Sequence, residues 1–205
     1  MNEGMAGTGA VLALWNDVTP EQDAEYNEWH ANEHVPERLS VPGMLWGRRY
    51  RRVDGAAAPH YLTVYGMRDA KVLESEAYRL LLARPTPMSA RMRPHLCNLS
   101  RWVCEVREAR GLLASPALAV WTFDAEAAAR RRERECAPCD DGLLLARRSP
   151  DAAPLPWLTG GQILAVEGNW LLAVAAAGGR VASPRVVADA VVYSALPIGP
   201  ALAHP

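Results

Sequence analysis

Ala10-Val11-Leu12-Ala13-Leu14-Trp15, followed closely by Thr19-Pro20-Glu21-Gln22, decides the fold. The first run is unbroken and apolar, and short enough to be a buried strand. In the second, Thr19 can cap a helix, Pro20 suits the first helical position, and Gln22 completes a capping box. A strand therefore hands directly to a helix. That helix is expected to reach His34 or Val35, where Pro36 stops or kinks it. Working outward, residues 43–53 read as a strand and Asp54-Gly55 as a turn. Residues 60–67 read as a further strand, with Tyr61, Thr63 and Tyr65 on one face and Leu62 and Val64 on the other. Residues 69–83 read as a second helix, with Val72, Leu73, Ala77, Leu80 and Leu81 on its apolar stripe. A proline-interrupted connector at 85–93 leads to a strand at 96–106. The order β-α-β-β-α-β is the ferredoxin-like split unit.

The same order recurs more faintly downstream. Leu12-Ala13-Leu14-Trp15 matches Leu118-Ala119-Val120-Trp121, and the segment Gly43 to Arg49 matches Gly142 to Arg148. Leu62, Val64 and Gly66 match Leu164, Val166 and Gly168. A helix is expected at 124–136, an element of undecided type near 170–177, and a last strand at 188–196. Two units follow, residues 1–110 and 111–205, divided by a linker near 108–116. The expected fold class is α+β: two tandem ferredoxin-like units whose antiparallel sheets form an α+β barrel. The copies stand 106 residues apart at the first strand (Leu12 to Leu118) but 99 at the second (Gly43 to Gly142). The second copy has thus lost length where the first carries its most polar segment.

Composition narrows the function classes. Half of the 205 residues are hydrophobic, which supports a sizeable core. With 22 basic against 23 acidic residues, no electrostatic footprint for nucleic acid exists. The basic run Arg130-Arg131-Arg132-Glu133-Arg134 has acids in and around it and reads as a solvated helix face. No basic stretch precedes an apolar run at the N-terminus, and no apolar stretch approaches the roughly 20 residues of a membrane span. The expectation is a cytoplasmic protein with a small-molecule substrate, as a monomeric pseudo-dimer or a homodimer.

The polar segment is Glu28-Trp29-His30-Ala31-Asn32-Glu33-His34-Val35-Pro36-Glu37-Arg38-Leu39, with Val41-Pro42-Gly43 and Arg48-Arg49-Tyr50 after it. It resembles the EthD-like branch of the dimeric α+β-barrel superfamily, whose members show an aromatic, a polar stretch, Glu-His-x-Pro, then Pro-Gly before the second strand. The resemblance covers residues 12–107, and the second half only through the repeat. It implies two four-stranded sheets facing each other and a ligand pocket between sheet and helices. It also implies a role for His34, which occupies the Glu-His-x-Pro position. Known members include cofactor-independent oxygenases, lactone isomerases, polyketide cyclases and haem-dependent enzymes, so the fold does not choose among reactions.

His30 and His34 stand four apart and share a helical face with Tyr26, with Trp29 beside that line. Histidine supplies a proton group near neutral pH. Glu33 could fix its tautomer or raise its pKa. The same residues spell H-x-x-E-H, a zinc peptidase pattern. Such enzymes need a third protein ligand, and none is evident. No cofactor or metal is assigned; the alternative is haem or a mononuclear metal held through His34 or His30. Trp46, Arg48 and Tyr50 share one strand face and suit an aromatic or carboxylated ligand. Tyr65 is expected to extend that wall. Trp15 and Asn16 stand where a pocket mouth would lie, and the recurrence of Trp15 as Trp121 favours packing. His60 and His95 sit at element ends. Cys136-Ala137-Pro138-Cys139 follows a helix instead of opening one, so it lacks the dipole of a redox pair. Cys97 and Cys104 read as strand residues. The leading expectation is histidine acid/base chemistry on an apolar cyclic or aromatic metabolite, by isomerisation, cyclisation or elimination. Oxygenation through a carbanion and a non-catalytic binding protein are the alternatives.

Overall fold

In the computed structural model the described residues are 5–53, 55, 58–111, 116–136, 142–150, 155–158, 160–175 and 189–200. Eight strands of this one chain close into an antiparallel barrel. They are β1 (Ala10–Val18), β2 (Met44–Arg52), β3 (Tyr61–Met67), β4 (Leu96–Gly111), β5 (Ala117–Phe123), β6 (Gly142–Arg148), β7 (Trp170–Ala175) and β8 (Val191–Leu196). Their order round the barrel is β1-β3-β2-β8-β5-β7-β6-β4. Each half thus contributes the same 4-1-3-2 sheet, and the halves join at β2–β8 and β4–β6. The expected α+β fold of two ferredoxin-like sheets is what the chain adopts.

Alternation along the strands sorts the core into layers. Ala13 and Trp15 of β1, Tyr50 of β2, Trp102 of β4, Val120 of β5, Leu144 of β6 and Tyr193 of β8 form one cluster drawn from every sheet position. Its members fill the lumen, as expected for an eight-stranded barrel too narrow to stay hollow. The opposite faces carry separate clusters beneath the helices of the first half and beneath α5 (Glu126–Cys136) of the second. α5 is rich in Ala, Arg and Glu, which are strong helix formers. Arg130 pairs with Glu126 and Glu133 on the helix and with Glu108 of β4, so the basic run is charge-paired, as its composition implied.

The structure corrects several local expectations. Thr19 makes no side-chain cap; Gln22 N–H donates to the Thr19 carbonyl at 2.9 Å, and the entry is a tight turn over Pro20–Gln22. The helix that follows does not end at Pro36. It runs as α1 (Asp23–Trp29), one widened π-type turn (His30–His34) and α2 (Val35–Leu39). Val35 N–H reaches back five residues to the His30 carbonyl. The widening falls just before the proline, which has no N–H to give, so the helix continues past it. The second helix begins as a tight turn at Ala70–Glu74 and becomes α3 (Glu76–Ala83), capped by Ser75. The connector contains α4 (Pro87–Met92), capped by Thr86.

In the second half, residues 164–168 are not the third strand; β7 takes that place. Leu164 N–H instead donates to the Leu99 carbonyl at 3.2 Å, and Val166 N–H to Ser100 Oγ at 3.3 Å, so this segment runs along β4. Trp15 and Trp121 are not equivalent, because Trp15 fills the lumen and Trp121 lies under α5. Residues 108–111 of the expected linker are strand, paired with β6. Asp54 of the expected turn, Cys139 and residues 112–115 of the expected linker lie outside the described residues.

Close approach requires glycine at Gly43 and Gly66, among other positions. Gly43 has φ of 95° and turns the chain into β2 against Val72. At Gly66 the Trp46 ring, tethered through Nε1 to Thr8 Oγ1 at 3.0 Å, lies where a Cβ would stand. Gly66→Ala is expected to destabilise the fold by about 1–3 kcal/mol through overpacking. Urea denaturation would read this as a lowered midpoint at unchanged slope.

Candidate functional site

The helical segment from α1 to α2 packs on the outer face of β1 and β3. Tyr26, His30, His34 and Arg38 recur every four residues and so line one stripe. Beneath that stripe lies a cavity of about 50 Å³. Its floor is Leu12, Leu14 and Asn16 of β1 with Tyr65 of β3; α3 closes one side with Tyr78 and Leu82. Arg93, Leu96 and Leu99 complete the first half's share. The second half contributes Leu155 and Trp157, with the Arg93 guanidinium 5.1 Å above the Trp157 ring.

The imidazoles are the distinctive groups. The His30 and His34 rings stack 4.8 Å apart with planes 30° off parallel, and Trp29 stands 4.5 Å from His34. Trp29 is itself held through Nε1 to Ser89 Oγ at 3.3 Å. His30 is buried, while His34 keeps a partly exposed edge. Nδ1 of each ring is shielded from solvent and has no hydrogen-bond partner, and the same holds for Tyr65 Oη. Three polar atoms without partners in one small cavity ask for an explanation. Burial holds both imidazoles well below their usual pKa of 6.5, and the neighbouring guanidiniums of Arg49 and Arg38 on His30, and of Arg38, Arg93 and Arg49 on His34, push the same way. Both rings are therefore neutral at physiological pH. Burial also raises the phenols of Tyr26 and Tyr65, which stay protonated.

The expected site residues divide by position. His30, His34, Trp29 and Tyr65 meet at the cavity. Glu33 does not join them: its carboxylate accepts from Thr86 Oγ1, the cap of α4. It neither orients an imidazole nor raises one, and the shift it was expected to cause runs the other way. Trp46, Arg48 and Tyr50 do share a strand face, but that face is turned from the cavity. Trp46 and Tyr50 pack with the lumen cluster, and Arg48 donates to the Gly47 carbonyl at 2.8 Å. Tyr65 is on the opposite side from them. Asn16 does line the cavity, accepting from Tyr26 Oη at 3.2 Å, whereas Trp15 is in the lumen. His60 and His95 are half-buried and line no part of it; Cys97 is half-buried and Cys104 buried, its thiol pushed up to about 12 by burial.

The cations at the site are Arg38, Arg93 and Arg49. Arg38 pairs with Glu37 at 2.8 Å. Arg93 donates to the Leu82 carbonyl at 3.3 Å. Arg49, 3% exposed, donates to Asn27 Oδ1 at 2.9 Å and the Pro197 carbonyl at 3.1 Å. A signal for Arg38 was present in its four-residue spacing from His34, once the helix is allowed past Pro36. No signal in the sequence marked Leu155 or Trp157.

Neither haem nor a single metal ion suits these residues. A cavity of about 50 Å³ admits a ring edge, and a macrocycle would need its walls to part far more than a small substrate does. Among the described residues no three His, Cys, Asp or Glu gather as a ligand set, and the surrounding guanidiniums oppose a cation. No described helix is long and apolar enough to cross a membrane.

No family model matches the chain, and no curated protein matches it by sequence. Solved structures do match in shape. An anthrone oxidase-like protein aligns over 94% of this chain and 93% of its own, at 12% identity and a TM-score of 0.54. A candidate chlorite dismutase aligns over 92% and 95%, at 9% identity and a TM-score of 0.50. These neighbours are of the dimeric α+β-barrel superfamily, and at such identities the likeness establishes one thing: this chain has that superfamily's barrel fold.

Proposed function

We propose that the chain is a small-molecule enzyme that takes a proton from a cyclic or aromatic metabolite without an organic cofactor. The observation that carries this is the pair of neutral imidazoles with unpartnered Nδ1 atoms inside one cavity. His34, with its partly exposed edge, is the base. His30 stacks on it and fixes its ring. Arg38 and Arg93 stabilise the enolate or phenolate left behind. Trp29 and Tyr65 are walls. Residues 1–110 carry the site, and 111–205 act as scaffold while lending Leu155 and Trp157. The Glu33-His34-Val35-Pro36 segment favours the EthD-like branch. Isomerisation, ring closure, elimination and carbanion oxygenation share this first step; the neighbour named anthrone oxidase-like keeps the last among them. The cavity admits only a ring edge, so a bulkier substrate enters as Trp157 and Leu155 move.

The test is hydrogen–deuterium exchange at acidic C–H positions of a panel of cyclic ketones, anthrone and carboxylate-bearing ketones included, followed by NMR. Catalysed exchange is expected, with a rate flat from alkaline pH down through 6.5, because the imidazole loses its basic form only well below that value. A rate that already halves at about pH 6.5 identifies a solvent-exposed histidine instead, and no catalysed exchange on any compound leaves a binding protein.

A further inference from the structure

We infer that the cavity is an anion site: the compound acted on at His34 carries one negative charge, a carboxylate or an acidic enol, seated at Arg38 and Arg93. This rests on the proton-abstraction reading above and names its substrate class.

The donor inventory carries the inference. Arg49, 3% exposed and just outside the lining, and Arg93, half-buried within it, pair with no carboxylate among the described residues, while Arg38, 5% exposed, pairs with Glu37. Arg49 is held by an amide and a carbonyl, and Arg93 by the Leu82 carbonyl and the face of Trp157. A buried guanidinium without a counter-charge is costly until an anion arrives. Tyr65 Oη adds a buried O–H with nothing to accept it. Of the acids at hand, Glu33 accepts from Thr86 at the α4 cap and Glu37 offsets Arg38, which leaves Arg93 as the lining guanidinium without a carboxylate partner. The other charged or titratable groups facing the imidazoles are Tyr26 from α1, Arg49 from β2, Tyr65 from β3, Tyr78 from α3 and Arg93 before β4. No carboxylate is among the groups that act on His34. The cavity thus offers donors and positive charge beside its two neutral imidazoles, and no carboxylate lines it to receive a cation.

Seating an anion changes the base as well. Its charge offsets the guanidiniums that depress His34, so the imidazole binds its proton more readily once the ligand is in place. Binding should therefore be accompanied by proton uptake, and the base strengthens only when substrate is present.

The probes are acetate and benzoate against their neutral isosteres acetamide and benzamide. Binding is read by the fluorescence of Trp29 and Trp157, which line the cavity, and by calorimetry in two buffers of different ionisation enthalpy. Each carboxylate is expected to bind about tenfold or more tighter than its amide, since charge-assisted bonds roughly double in strength. Proton uptake should appear below pH 6.5, the usual imidazole value, as the anion offsets the guanidiniums. Arg93→Gln should abolish the preference and Arg93→Lys should keep most of it. His34→Gln should keep the preference but lose most of the uptake. Amides binding as well as acids, no carboxylate binding at all, or an undiminished preference in Arg93→Gln would each overturn the anion site. If carboxylates and amides bind alike while His34→Gln abolishes catalysed exchange, the anion site falls and proton abstraction stands. If the preference holds while no compound exchanges, the anion site stands and proton abstraction falls.

Discussion

Replacing His34 with glutamine is expected to slow catalysed proton exchange by about 10²–10⁴-fold, the usual contribution of a positioned general base. Glutamine keeps polar atoms near those of the ring and remains neutral, as the imidazole is, so the cavity's charge is unchanged. What it cannot do is accept a proton at useful pH. His30→Gln is expected to cost far less, about tenfold, because His30 acts by packing on His34 at 4.8 Å. The asymmetry is the informative result. Equal losses from both substitutions would make the pair a single unit, and a larger loss from His30 would move the base to the deeper ring. Glu33→Gln should leave exchange within a few-fold of the parent, because its carboxylate serves the α4 cap.

Acid should destabilise this fold before its carboxylates titrate. Both imidazoles are lowered in the folded state, whereas an unfolded chain holds them near 6.5. Below 6.5 the unfolded chain therefore binds protons that the fold refuses. Stability is complete above that pH and falls as pH drops toward the folded values. Each imidazole contributes a slope of up to about 1.4 kcal/mol per pH unit below 6.5 for as long as the fold refuses its proton. For a chain of this length each kcal/mol lost lowers Tm by about 2–4 °C. Melting curves at several pH values, run beside the His30→Gln/His34→Gln double variant, check it. The parent should show the drop and the double variant should flatten it. An identical drop in both would place the acid sensitivity elsewhere.

The fold was legible because it rests on local rules. The strands at residues 10–15 and 142–148 were visible as apolar runs, and Pro20 marked the helix entry although Thr19 does not cap it. The helix past Pro36 was not, since a sequence shows the missing N–H but not the widened turn that accommodates it. The wall of Trp46, Arg48 and Tyr50 failed for a different reason. Period-two alternation sorts residues onto two faces correctly, yet it carries no label for which face looks into a barrel and which lies under helices. The same gap made Trp15 and Trp121 look equivalent.

The sequence by itself determined the two-sheet α+β architecture, the histidine stripe at four-residue spacing and the near-even charge balance. Each follows from neighbours along the chain or from composition. Tertiary structure alone decided that Arg38, Arg93 and Arg49 surround the imidazoles, that Trp157 arrives from the other half, and that both rings are held neutral. Charge and burial at a site depend on what distant segments bring within a few ångströms, and such proximity is written only in the fold.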